Sequence, residues 1–324
     1  MDKNGFTGFV EAKIGTELKR PVYIRSIKDM LSRKNTTYVT LMLMDGQTEQ
    51  NANMFDASVE KLAGLGINKD MIADAVIDVT EFQGSKNFTV RSLKPSASEL
   101  KIDDFVKSPP YPTDQMYDEI CGLVRSSAFT DENGHTPLAE LTLSILNDLH
   151  DRYVTSSAAI AMHHNMRGGL LYHSYRMVKS ADALCGVYDC LDRELLLCGT
   201  ALHDIGKIWE YVTSETGSAE FSSEGVLFGH LYLGASLIKQ YAVRFNCHPE
   251  KIKLLIHLIL SHHGTQEFGA VSCPATAEAF ALHFIDNLDA RIYMCEDLSL
   301  PLEPGTFTDK KPFGLDNRIY KPKY

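Results

Sequence analysis

The sequence predicts a multidomain chain, a small N-terminal β-barrel followed by an all-α helical bundle. Three observations predict it. At 324 residues the chain exceeds one module of roughly 150 residues and suits two. The apolar pattern has a period near two up to residue 95 and a period near four after residue 112. Between them lie two breaker-rich runs, Lys94-Pro95-Ser96-Ala97-Ser98 and Ser108-Pro109-Pro110-Tyr111-Pro112. These set the expected boundaries: a barrel over 1–95, a linker over 96–112, a helical domain over 113–300 and an extended basic tail over 301–324.

Within the barrel, residues 22–30 and 36–44 carry β-branched and aromatic side chains in partial alternation, and Asp45-Gly46 ends the second run as a turn. Residues 53–57 could form a third strand, and the barrel order reads its third strand as the short, polar stretch 49–55. Residues 58–65 read as a helix closed by Gly66, and 75–82 and 88–93 as two further strands joined at Gly84-Ser85. The order β-β-β-α-β-β is that of the OB-fold, whose strand 2–3 face binds oligonucleotides. Tyr23, Tyr38, Phe55 and Phe88 are the aromatics that could stack on bases there. After the linker, helices are expected at 116–127, 137–153, 168–184, 193–211, 231–245, 249–262 and 275–298.

Composition narrows the class. Hydrophobic residues at 44% and charged residues at 23% are those of a globular protein, not a disordered or fibrous one. No apolar run approaches the ~18 residues of a membrane span, and the N-terminus has no signal-peptide core. The seven cysteines include no CxxC pair, so free thiols and a cytoplasmic location are expected. The net charge of −10 argues against indiscriminate nucleic-acid binding. It is unevenly spread: the first forty residues and the last fifteen each carry +4, leaving −18 between them. Basic ends could grip a polyanion while central acids serve metals.

The helical part carries the histidines. His173 follows Gly-Gly-Leu-Leu-Tyr, His203-Asp204 sits in Leu-His-Asp-Ile-Gly-Lys, and His230 ends Phe-Gly-His. His262-His263 lies in Leu-Ser-His-His-Gly, and Asp286 in His-Phe-Ile-Asp-Asn-Leu-Asp. Each stands in an apolar context, where imidazoles and carboxylates are costly unless paired or metal-bound. Their nitrogen and oxygen donors suit first-row divalent metals. The spacings correspond to one helix and a turn each. Adjacent His203 and Asp204 diverge by about 100° on a helix, so they can share an ion only inside a bundle. Lys207, four residues after His203, would lie on its face and could meet a phosphate oxygen. His257 and His283 read as core residues, His135 and His248 as surface ones.

These motifs resemble the HD-domain metal-dependent phosphohydrolases, and specifically the YhaM-type 3′–5′ exoribonucleases, which place an OB-fold before an HD domain. The resemblance covers residues 18–298 and includes His163-His164 and Asp286-Asn-Leu-Asp289-Ala. It implies that His173, His203, Asp204 and Asp286 bind one metal, with His230 and His262 completing a second site across Asp204. His164, His263 and Asp289 would stand behind the ligands or touch substrate. Two divalent ions (Mn, Fe, Co or Ni) would serve hydrolysis of single-stranded RNA, with single-stranded DNA as a further substrate. Asp204 and Lys207 would act at the phosphate, and the products would be nucleoside 5′-monophosphates. Competing readings are an HD phosphohydrolase of small nucleotides and a non-catalytic nucleic-acid-binding protein. A cyclic-dinucleotide phosphodiesterase of the HD-GYP kind fits less well, because Gly264-Thr-Gln-Glu-Phe-Gly follows His-His.

Overall fold

One long strand organises the first half of the chain. In the computed structural model, which describes residues 5–32, 35–82, 84–159, 166–214, 216–217 and 219–324, β1 spans Glu17–Leu31. Its first half pairs with β4 (Met71–Phe82) and its second half with β2 (Thr37–Met44). The register shift between Ile24 and Ser26 lets one strand serve both sides of a curved sheet. β3 (Glu49–Phe55) pairs with β2, and β5 (Ser85–Pro95) joins β4 to β3, where it runs parallel. The strand order β1-β2-β3-β5-β4 closes into an OB-like barrel. Alternate residues fill it: Val22 and Ile24, Val39, Leu41 and Leu43, Ala73, Ala75 and Ile77, and Phe88 and Val90 are all buried. The helix α1 (Val59–Gly64) lies between β3 and β4 and is capped by Ser58 Oγ, which accepts from Lys61 N.

The third strand runs over Glu49–Phe55, the short polar stretch read for it, because polar residues are tolerated on the outward face of a barrel strand. One expectation for this half is corrected. Tyr23 and Phe88 are core residues, 3% and 2% exposed, so neither presents a ring for stacking. Tyr23 packs with Met44, Phe105 and Val106. That packing extends the first compact unit through Ser108, and the second begins at Pro109.

The second unit is helical: α2 (Thr113–Ser126), α3 (Leu138–Asp148), α4 (His150–Thr155), α5 (Gly169–Cys185), α6 (Arg193–Leu202), α7 (Lys207–Glu210), α8 (Ser223–Ala242), α9 (Pro249–Ser261) and α10 (Ala277–Ser299). The sequence Glu-Leu-Leu-Leu-Cys-Gly-Thr-Ala-Leu of α6 is buried at every position, as expected of a helix apolar on all sides. It touches α2, α3, α5, α9 and α10. Each of its buried leucines stabilises the bundle by about 2 kcal/mol. Its one buried acid, Glu194, is met by Lys251 Nζ at 2.7 Å and by the backbone N–H groups of Phe129 and Ala139.

The expected helices at 137–153 and 193–211 are each divided. Leu149 leaves helical geometry between α3 and α4. The second division matters more. The chain turns at 203–206 because Gly206 abuts α8; a Cβ there would sit 2.0 Å from the His230 carbonyl oxygen. After α7 the chain makes a two-stranded hairpin, β6 (Tyr211–Thr213) and β7 (Ala219–Phe221), which the helical period of the sequence hid. Helix α8 starts eight residues before the expected 231 and kinks at Gly229, whose φ of 69° only glycine adopts readily. The tail is not an extended arm. It folds back on itself through a bridge between Phe307 and Tyr320, and Asp316 pairs with Arg291 of α10. No helix among the described residues is long and apolar enough to cross a membrane.

Candidate metal centre

The turn at 203–206 creates the centre. His203 caps the end of α6 and Asp204 follows it outside regular helix, so their side chains converge instead of diverging. His173 comes from α5, His230 from just beyond the Gly229 kink, His262 from the C-terminal cap of α9, and Asp286 from α10. His173, His203, Asp204 and His262 are each at most 2% exposed.

Asp204 is the middle of the arrangement. Its Oδ2 faces His203 Nε2 at 3.3 Å and His173 Nε2 at 3.8 Å. Its Oδ1 faces His230 Nε2 at 3.4 Å and His262 Nε2 at 3.7 Å. Asp286 Oδ1 lies 3.2 Å from His173 Nε2. His263 Nε2 lies 3.3 Å from His230 Nε2, which puts it in the Oδ1 half.

Each imidazole is held from behind. His203 Nδ1 donates to the Thr200 carbonyl and His262 Nδ1 to the Ile259 carbonyl, both at 2.8 Å. His173 Nδ1 meets Asp289 Oδ2 at 2.7 Å, and His230 Nδ1 meets Glu210 Oε1 at 3.0 Å. An acceptor at Nδ1 fixes the proton there and leaves the Nε2 lone pair for the interior. Four imidazole Nε2 atoms and a carboxylate thus point at one another. Asp204 Oδ1 and His262 Nε2 are buried without a hydrogen-bond partner. Such orphans cost about 1–3 kcal/mol each, and divalent cations satisfy them. The donors therefore fit a metal in chemistry and in direction, and three groups could hold one: His173, His203 and Asp204; His203, His262 and Asp286; His230, His262 and His263.

His173 differs from the other rings: burial disfavours its charge, yet Asp286 and Asp289 outweigh it and raise the ring to about 9, so without a cation its Nε2 carries a proton toward Asp286 that a metal would displace. Burial, together with His203 and His263, holds His262 well below the usual range. Asp204 is held well below the usual carboxylate range: burial opposes its charge, and Lys207 and His203 overcome that. Lys207 contacts Asp204 Oδ2 at 2.7 Å rather than sharing a face with His203, since the helix breaks between them. Burial opposes its charge too, but Asp204 keeps it an ammonium.

The centre opens into a cavity of about 710 Å³. Asp204, Lys207, His230, His262, His263 and Asp286 line its floor, and Tyr211, Phe221 and Phe268 its walls.

The family model for the HD domain matches residues 170–291, the stretch that supplies every one of these donors. Over 320 residues, 98% of each chain, the sequence is 31% identical to the 3′–5′ exoribonuclease YhaM of Bacillus licheniformis. The chain belongs to the YhaM-type exoribonucleases, which are HD-domain hydrolases. The YhaM proteins of Bacillus subtilis (30% identical, 98% of both chains) and Shouchella clausii (31%, 98% and 97%) match over the same length. The HD domain implies dependence on divalent metal, and these residues are the groups that could hold it.

Some features of this YhaM-type site escape sequence reasoning. Glu210, behind His230, lies in Lys-Ile-Trp-Glu with no spacing to mark it. His283, expected in the core, is half-buried in the cavity wall, where its Nδ1 donates to the His262 carbonyl at 2.8 Å. His257 is likewise half-buried and accepts from Ala275 N. His164 lies outside the described residues. On the barrel, Tyr38 and Phe55 face each other across β2 and β3 with ring centroids 5.7 Å apart. The register places Lys28 and Met30 of β1 in the same rows, opposite Thr40 and Tyr38.

Proposed function

We propose that this chain degrades single-stranded RNA from its 3′ end to nucleoside 5′-monophosphates, with single-stranded DNA as a second substrate. The observation that carries the reading is Asp204, whose two oxygens each face a separate pair of imidazole nitrogens. That is the form of a carboxylate shared by two cations. His173, His203 and Asp286 would complete one site, and His230 and His262, with His263 beside them, the other. The donors suit Mn, Fe, Co or Ni.

Bound there, such ions supply the Lewis acidity that phosphodiester hydrolysis needs, acidifying water and neutralising phosphate charge. The chain's own groups do the rest. Asp289, Glu210 and the Thr200 and Ile259 carbonyls hold the rings, so little reorganisation is needed during reaction. Lys207 keeps a positive charge at the cavity floor, where it would meet the phosphate. Tyr211, Phe221 and Phe268 form apolar walls against which a terminal nucleoside can pack. Tyr38 and Phe55 on the barrel would stack bases of the strand. Free thiols at all seven cysteines fit a reducing, cytoplasmic setting.

The test is product analysis on RNA labelled at either end, with manganese supplied. Mononucleotides released first from the 3′ label, bearing 5′-phosphates, are expected, and Asp204→Asn should release none while keeping its helical circular dichroism. Products with 3′-phosphates, or release from the 5′ end, would overturn the reading.

A further inference from the structure

Three donors stand together well away from the centre. Asp131, His135 and His248 each bring one ligand atom within 4.8 Å of the other two. Asp131 and His135 belong to the loop between α2 and α3, and His248 caps the N-terminus of α9. All three are half-buried, with the side chains of His135 and Asp131 at 23% and 25% exposure. Backbone hydrogen bonds and a ring contact hold them in place. Asp131 Oδ1 accepts from Asn133 N and His135 N. Thr136 N donates to the Asn246 carbonyl at 2.9 Å, which ties this loop to the one before α9. The rings of His135 and His248 meet edge to face at 5.0 Å.

We infer that these residues form a separate site for a zinc-class divalent ion. Two imidazoles and one carboxylate select Zn, Co or Ni over Mg or Ca. Three protein ligands with partial exposure leave a fourth position for water. His135 Nδ1 and Asp131 Oδ2 are hydrogen-bonded at 2.7 Å. His248 Nδ1 accepts a long bond of 3.2 Å from Glu250 N. A cation takes up these lone pairs, and the hydrogen of the neutral His135 ring is then carried on Nε2. Donors around a tetrahedral ion sit roughly 3.3 Å apart, given metal–ligand distances of about 2.0–2.1 Å, so binding draws the set inward by side-chain rotation. The ion would staple the α2–α3 loop to the start of α9. The far end of α9 carries His262, roughly 20 Å away at 1.5 Å per residue, too distant for shared ligands. The site is thus separate from the centre, and it stands whether or not the exoribonuclease reading does.

The full chain, stripped with chelator and dialysed against zinc, tests this through its metal content. Wild type is compared with His135→Asn, with His248→Asn, in which asparagine preserves the helix cap, and with the pair combined. The expected result is about one zinc fewer per chain in each variant, with unchanged circular dichroism and unchanged manganese-supported RNA hydrolysis. A zinc-dependent rise in Tm should shrink in the same variants. Should a single variant misfold, the other carries the test. Equal zinc content and equal zinc-induced Tm shifts in wild type and folded variants would overturn the inference. So would zinc bound in wild type that disappears entirely in His203→Ala/Asp204→Ala.

Discussion

Asp289 Oδ2 lies 2.7 Å from His173 Nδ1, and the other oxygen of Asp289 pairs with Arg176. Arg176 is held in turn by Glu296 and lies against the Tyr172 ring. The His173 ring is therefore aimed by a chain of charged groups anchored on α5 and α10. Asp289→Asn should keep the volume but weaken this hold. The expected effect is a 10–100-fold loss in metal affinity or turnover, read by titrating manganese into the hydrolysis assay. A variant with wild-type manganese dependence would show that the ring needs no such support.

The barrel makes a different prediction. Tyr38 and Phe55 sit side by side on the outward face of β2 and β3, and Phe55 is 57% exposed. Base stacking contributes about 1–3 kcal/mol per ring. Tyr38→Ala/Phe55→Ala should weaken binding of an RNA oligomer by tenfold or more and leave hydrolysis of a small phosphodiester nearly intact. Equal losses on both substrates would argue that these rings merely support the barrel.

Buried thiols set a pH limit. Burial, then Glu194 and Glu140, push the Cys247 thiol up to about 11 from an ordinary value of 9.0. Burial also raises Cys121, and Cys198 further still. In the unfolded chain these thiols ionise first. The unfolded state thus loses protons before the folded one, and stability falls as pH rises from about 9 to about 11. Below the lower limit these thiols contribute no pH dependence. Urea unfolding across that window should show a declining midpoint, and Cys247→Ser should flatten the decline. Mass spectrometry of the iodoacetamide-treated native protein should find exposed Cys190 and Cys273 modified before Cys198 and Cys247. Simultaneous modification would contradict the burial described.

Much of this was legible in the sequence, for identifiable reasons. The strands showed because alternate residues such as Val39, Leu41 and Leu43 must face a small closed core. The candidate donors could be picked out because histidines in apolar surroundings need partners, and the HD motifs recur at helix-sized intervals. What stayed hidden depends on contacts between distant residues. Nothing local distinguishes Tyr38, on the barrel surface, from Tyr23, covered by Phe105 and Val106. The break after Leu202 comes from the close approach of α8 to Gly206, which a helical period cannot report. Glu210 matters only because that break and the Gly229 kink bring it behind His230. His135 and His248 looked like isolated surface residues until the fold placed the two loops side by side.

The central claim is that Asp204 is shared by two cations, and anomalous diffraction at the manganese edge from crystals grown with manganese tests it most directly. The account predicts two peaks flanking the Asp204 carboxylate, one beside His173, His203 and Asp286 and the other beside His230 and His262. No anomalous density at Asp204, or manganese bound only elsewhere on the chain, would contradict it.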